Sequence, residues 1–126
     1  MKNLVLCLTL CILILFGCKK NNQQVESVQI SIQNNSSFKF SDVLVSASNG
    51  ENNYGVVNSY EKSNYKEFKK AYRYSFISLK IENEELRIQP VDYVGEIELE
   101  KGKHTYILDI EIVNNAKKLK LTYKKD

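Results

Sequence analysis

The chain has 126 residues, 43% of them hydrophobic and 26% charged, and carries a net charge of +3. That near balance excludes the concentrated basic footprint that nucleic acid demands. Three cysteines and one histidine supply no Cys/His metal set.

Met1-Lys2-Asn3 opens the chain, and a run from Leu4 to Phe16 follows, broken only by Thr9. As a helix these thirteen residues would cover about 20 Å of a hydrocarbon core near 30 Å thick. Such a run is too short to span a bilayer, and its length and flanks are those of a secretory signal peptide. It ends in Leu15-Phe16-Gly17-Cys18, which resembles the lipobox of bacterial lipoproteins. Leu15, Gly17 and Cys18 fit that pattern, and Phe16 departs from it, because the position is more often small or β-branched. The resemblance implies cleavage before Cys18, transfer of diacylglycerol to its sulfur and acylation, for example by palmitate, of the amine thereby freed. A thiolate is nucleophilic enough to take a lipid as a stable thioether, and two or more acyl chains anchor firmly where one does not. The implied location is a cell membrane, on the side facing away from the cytoplasm. Lys19 stands where enteric inner-membrane lipoproteins carry a retaining aspartate, which implies outward sorting in a two-membrane host. Cys7 and Cys11 would leave with the signal segment, so no disulfide is available to the mature chain. The alternative, three cysteines acting as apolar residues of a signal anchor, leaves the Gly17-Cys18-Lys19-Lys20 junction unexplained.

Three segments follow: a signal peptide over 1–17, a lipidated cysteine with a polar tether over 18–24, and one domain over 25–126. Loss of the first removes Lys2 and no acid, which lowers the net charge to +2. The tether, Lys19-Lys20-Asn21-Asn22-Gln23-Gln24, has nothing to bury and reads as a flexible spacer. In the domain, Val28, Ile30 and Ile32 alternate with polar residues, which predicts a half-buried strand. Asn34 to Ser37 is a turn cluster, and Asp42 to Ser48 is a second strand with Val43 and Val45 on one face. Asn49 to Asn53 breaks the chain, and Tyr54 to Lys70 reads as a long connection with one helical turn at most. Tyr72 to Ile81 is the most apolar strand; its two halves alternate out of phase, which either a β-bulge near Phe76 or burial on both faces would explain. Leu86 and Ile88 mark a short strand closed by Pro90, and Ile97 and Leu99 follow before a turn at Lys101-Gly102-Lys103. Tyr106 to Ile112 and Leu119 to Tyr123 alternate clearly, and Asn114-Asn115 between them signals a hairpin, because Asn tolerates the positive φ of tight turns.

About seven short strands in about 100 residues predict an all-β fold, a single antiparallel β-sandwich. The run Leu99-x-x-Gly102-x-His104-x-Tyr106 is similar to the strand entry of immunoglobulin-like and transthyretin-like sandwiches, with His104 where those families usually place a corner tyrosine. The stretch from Pro90 through Tyr106 also resembles small uncharacterised lipoproteins of the Bacteroidetes kind, which implies a fold and an address and no activity.

Candidate sites are few. Tyr54, Tyr60 and Tyr65 lie in polar connecting sequence, where tyrosine could stack on a sugar or grip a peptide. Asp92 and Glu96 flank a loop and could act as acid and base or hold a cation, although a plain inter-strand turn uses the same residues. His104 lacks an evident catalytic partner, since Thr105 beside it points to the opposite strand face. Lys117, Lys118, Lys120, Lys124 and Lys125 form either an anionic-partner patch or protection for an edge strand; the second is preferred. No phosphate loop or nucleophile elbow is present, and no cofactor or metal is expected. The expected function is therefore a non-catalytic, membrane-anchored binding or assembly module, held by the lipids on Cys18 and facing an envelope protein partner. Binding of a small ligand or glycan by residues 54–65 comes second, and hydrolysis by Asp92, Glu96 and His104 third.

Overall fold

A computed structural model describes residue 17 and residues 27–126; the signal segment, Cys18 and the tether expected at 18–24 lie outside the described residues. Eight strands run in chain order: β1 (Val28–Asn34), β2 (Phe40–Ala47), β3 (Gly50–Val57), β4 (Lys66–Phe68), β5 (Phe76–Ile81), β6 (Glu84–Ile88), β7 (Gly102–Val113) and β8 (Ala116–Lys125). They form two four-stranded sheets, ordered β4-β1-β7-β8 and β3-β2-β5-β6. This is the expected all-β sandwich. Every pairing is antiparallel except that of β1 with β7, which is parallel with Val28 opposite Gly102. No helix among the described residues is long and apolar enough to cross a membrane.

Alternation drives the assembly. Val28, Ile30 and Ile32 from β1, Val43 and Val45 from β2, Ile77, Leu79 and Ile81 from β5, and Tyr106 and Leu108 from β7 meet between the sheets. Each strand offers every second side chain to that layer. Polar groups trapped there are paired: among the described residues no buried side-chain nitrogen or oxygen lacks a hydrogen-bond partner. Asn34, fully buried, donates to the carbonyls of Phe38 and Val57 and accepts from the amide and hydroxyl of Ser36. The turn cluster at 34–37 is thereby a folded Asx turn tied to the end of β3.

Three expectations need correction. The break expected at Asn49 to Asn53 is confined to the turn, and the connection expected from Tyr54 to Lys70 contains the rest of β3 and all of β4, with no helix. Pairing with β2 and β1 imposes strand structure on a sequence whose Asn and Gly content disfavours it. The strand expected from Tyr72 is regular only from Phe76. Tyr72 instead forms an isolated bridge with Glu98, and Ala71 and Ser75 are buried across the end of the sandwich. The change of phase thus marks the end of a strand, and no bulge is required. Glu98 likewise is the one bridged residue in the stretch expected as an Ile97–Leu99 strand.

β2 is irregular between Ser41 and Leu44, where Asp42 takes a φ of +48°, and β3 carries a bulge opposite it. Asn53 pairs with Leu44 and Gly55 with Val43, which leaves Tyr54 unpaired between them. Gly55 takes a φ of +66° that glycine adopts without strain, and its amide donates to Asn53 Oδ1 at 2.7 Å. The extra residue turns Tyr54 out of its own sheet and toward the other.

Candidate functional site

Tyr54 crosses the gap between the two sheet edges formed by β3 and β4, and its hydroxyl donates to the Ile30 carbonyl at 2.8 Å. Burial, and secondarily Tyr106, push the phenol well above its ordinary range, so it remains a neutral donor. Beside it an open groove of about 750 Å³ runs between β3 and residues 62–66, lined by Tyr54, Val56, Lys62, Asn64, Tyr65 and Lys66 among others. The structure therefore brings two of the three expected tyrosines to one groove. Tyr60 is 71% exposed and is not part of the lining.

The phenols are already engaged. Tyr65 donates to Asp126 Oδ2 at 2.5 Å and accepts from Lys62 Nζ at 2.9 Å. Its ring also has the ammoniums of Lys62 and Lys103 each 4.9 Å from the centroid, a distance at which cation–π attraction acts. Thr105 Oγ1 lies 2.7 Å from Asp126 Oδ2 and 3.2 Å from Ser31 Oγ. Burial would raise the Asp126 carboxyl, but hydrogen bonds from Tyr65 and Thr105 and the Lys62 charge outweigh it and hold the group below its ordinary value. Asp126, Thr105 and Ser31 are separated from Tyr65 by up to 61 residues along the chain. No local spacing signals that network; the phase of Thr105, on the strand face opposite His104, is the one part visible in sequence.

His104 is 1% exposed. Nε2 lies 2.7 Å from the Glu100 carbonyl and Nδ1 lies 2.8 Å from the Tyr123 hydroxyl. A carbonyl only accepts, so Nε2 carries the hydrogen, and in the neutral ring Nδ1 accepts from Tyr123. His104 thus bonds backwards to backbone four residues upstream, the task a corner tyrosine performs in immunoglobulin-like domains. The second aromatic of the same run, Tyr106, reaches the other way, to Ser75 Oγ at 2.8 Å and to the Tyr72 carbonyl.

Asp92 and Glu96 are exposed. Asp92 Oδ1 accepts from the Val94 amide at 3.1 Å and the Glu96 amide donates to the Tyr93 carbonyl at 3.1 Å, which are turn-forming bonds. Neither carboxylate is a hydrogen-bond partner of His104. Among the described residues no three of His, Cys, Asp and Glu converge as metal ligands would. Lys118, Lys120 and Lys124 project from the exposed face of β8, an edge strand, where charge discourages pairing with foreign strands. No family model, curated protein or solved structure matches the chain.

Proposed function

We propose that the chain is a bacterial lipoprotein precursor, cleaved before Cys18 and anchored by lipids on that cysteine, whose β-sandwich acts as a non-catalytic binding or assembly module of the cell envelope. One observation carries the reading: an apolar run of signal-peptide length ends in Leu15-Phe16-Gly17-Cys18. Polar residues follow, and the first strand begins only at Val28. The described core closes on itself with its buried polar groups paired, as befits a self-contained domain carried on an anchor. In a two-membrane host the outer membrane is the expected location.

Of the two sandwich types resembled by the Leu99–Tyr106 run, the transthyretin-like one is favoured. The constant-type immunoglobulin order keeps the first two strands in one sheet, whereas β1 and β2 lie in different sheets here. The residue positions argue for binding or assembly over hydrolysis, since His104 is committed to Glu100 and Tyr123.

Metabolic labelling with palmitate in a native host tests the anchor. The unaltered chain takes up label and fractionates with membranes, and Cys18→Ala loses both; labelling that survives Cys18→Ala overturns the reading. A second reading, capture of a small ligand or glycan, is favoured by the groove beside Tyr54 and Tyr65. Tyrosine fluorescence unchanged across a glycan and metabolite panel would eliminate it.

A further inference from the structure

We propose that the loop joining β6 to β7 is a bilayer-contact element, with Val91, Val94 and Ile97 resting in the interfacial layer of the membrane that holds the anchor. The inference rests on lipidation at Cys18 and adds the face on which the domain sits.

Val91 is 99% exposed, Val94 89% and Ile97 56%. Scattered apolar residues on a surface need no explanation, but three within seven positions of one loop call for a contact. The loop has a built shape. Tyr93 stacks on Tyr72, with ring centroids 4.9 Å apart and planes inclined by 19°. The Glu96 amide closes a turn onto the Tyr93 carbonyl, and the Asp92 carboxylate holds the Val94 amide. Gly95, at a φ of +80°, takes the left-handed position in that turn. Leu99 is buried, and its amide donates to the Ala71 carbonyl at 2.8 Å. Tyr93 and Leu99 therefore pin the loop while Val91, Val94 and Ile97 point away from the body.

The chain's own course identifies what the loop meets. The loop ends at Gly102, whose amide donates to the Ser27 carbonyl at 3.0 Å. The polypeptide thus enters the sandwich at the pole that carries the loop. Ser27 is nine residues beyond Cys18, a reach of at most about 30 Å at full extension, so this pole can lie no farther than that from the surface that holds the lipids. Lys69 and Lys101 line a surface groove with Ser27, Val28, Phe68 and one acid, Glu67, at the entry point, where the two ammoniums can meet lipid phosphates. Asp92 and Glu96, both exposed, lie between the apolar side chains of the loop, which disfavours a strongly anionic surface. The occupant is accordingly a bilayer with mainly zwitterionic headgroups. At the other pole Ile112, 56% exposed, lies ten residues further along β7, about 34 Å from Gly102 at the rise of an extended strand.

In the lipidated protein the sulfur of Cys18 is a thioether, so an introduced cysteine is the sole free thiol of the mature chain. Full-length protein lipidated in its host, carrying Val94→Cys or Ile112→Cys, is labelled with an environment-sensitive fluorophore and reconstituted in phosphatidylcholine vesicles containing a shallow doxyl-lipid quencher. Val91→Cys serves as a second loop position should Val94→Cys fold poorly. The expected result is blue-shifted emission and severalfold stronger quenching at the loop than at Ile112, both weakened when phosphatidylglycerol replaces most of the phosphatidylcholine. Equal quenching at the two poles, or none at either, on protein of confirmed lipidated mass overturns the loop contact and leaves the anchor standing. A protein of unlipidated mass overturns the anchor, and with it the placement of the loop.

Discussion

Tyr106 is fully buried, and its hydroxyl sits between Ser75 Oγ and the Tyr72 carbonyl. Burial pushes that phenol well above its ordinary range, so it is a neutral donor that joins β7 to the segment across the sandwich end. Tyr106→Phe keeps the ring and strands both partners, which costs about 1–3 kcal/mol. Urea unfolding is expected to show a lower midpoint with an unchanged slope. Asp126 governs a pH dependence. Its folded-state carboxyl lies below its ordinary value of 3.8, so the stabilisation is present above that value and fades as the pH falls through the lower folded-state one. Asp126→Asn is expected to lower stability at neutral pH and to flatten the acid limb of a stability profile measured below about pH 4. A profile that keeps its full acid limb in the variant would show that other carboxylates carry it.

At the scale of elements the β7–β8 hairpin is the most local structure. Asn114 and Asn115 have φ values of 51° and 63°, the pair of positive values that a type I′ turn requires. Asn115→Gly relieves residual strain and is expected to raise stability by up to about 1 kcal/mol, whereas Asn115→Val places a β-branched residue in the left-handed region at a cost of about 1–2 kcal/mol. Thermal melts of the two variants should move in opposite directions. This hairpin was legible in sequence because alternation and turn chemistry agree there. The same holds for β1, β2, the inward half of β5 and β6. β3 and β4 were not legible, because Gly50–Val57 holds Asn52, Asn53 and Gly55, and Lys66–Phe68 is three residues long. Both are edge strands whose conformation comes from their partners. Tyr54 and Tyr65 could be picked out by their polar surroundings, but their partners Ile30, Lys103, Thr105 and Asp126 depend on long-range pairing. His104 was visible as a residue replacing a corner tyrosine; that it performs a similar backward bond emerged only from the position of the Glu100 carbonyl.

For the whole molecule, the parallel pairing of β1 with β7 has the widest consequence. It sets the chain's entry at Ser27 against the end of the Val91–Ile97 loop, so one pole carries both the route to Cys18 and the exposed apolar side chains, and the groove beside Tyr54 opens along the β3–β4 edge. On the proposed reading, stability resides in the sandwich and location in the lipid on Cys18, so the two should be separable by substitution. The most direct measurement is mass spectrometry of the N-terminal peptide from protein extracted from the membranes of its native host. The account predicts a chain that begins at Cys18 and carries diacylglyceryl on the sulfur. An unmodified peptide that still begins at Met1 would contradict it.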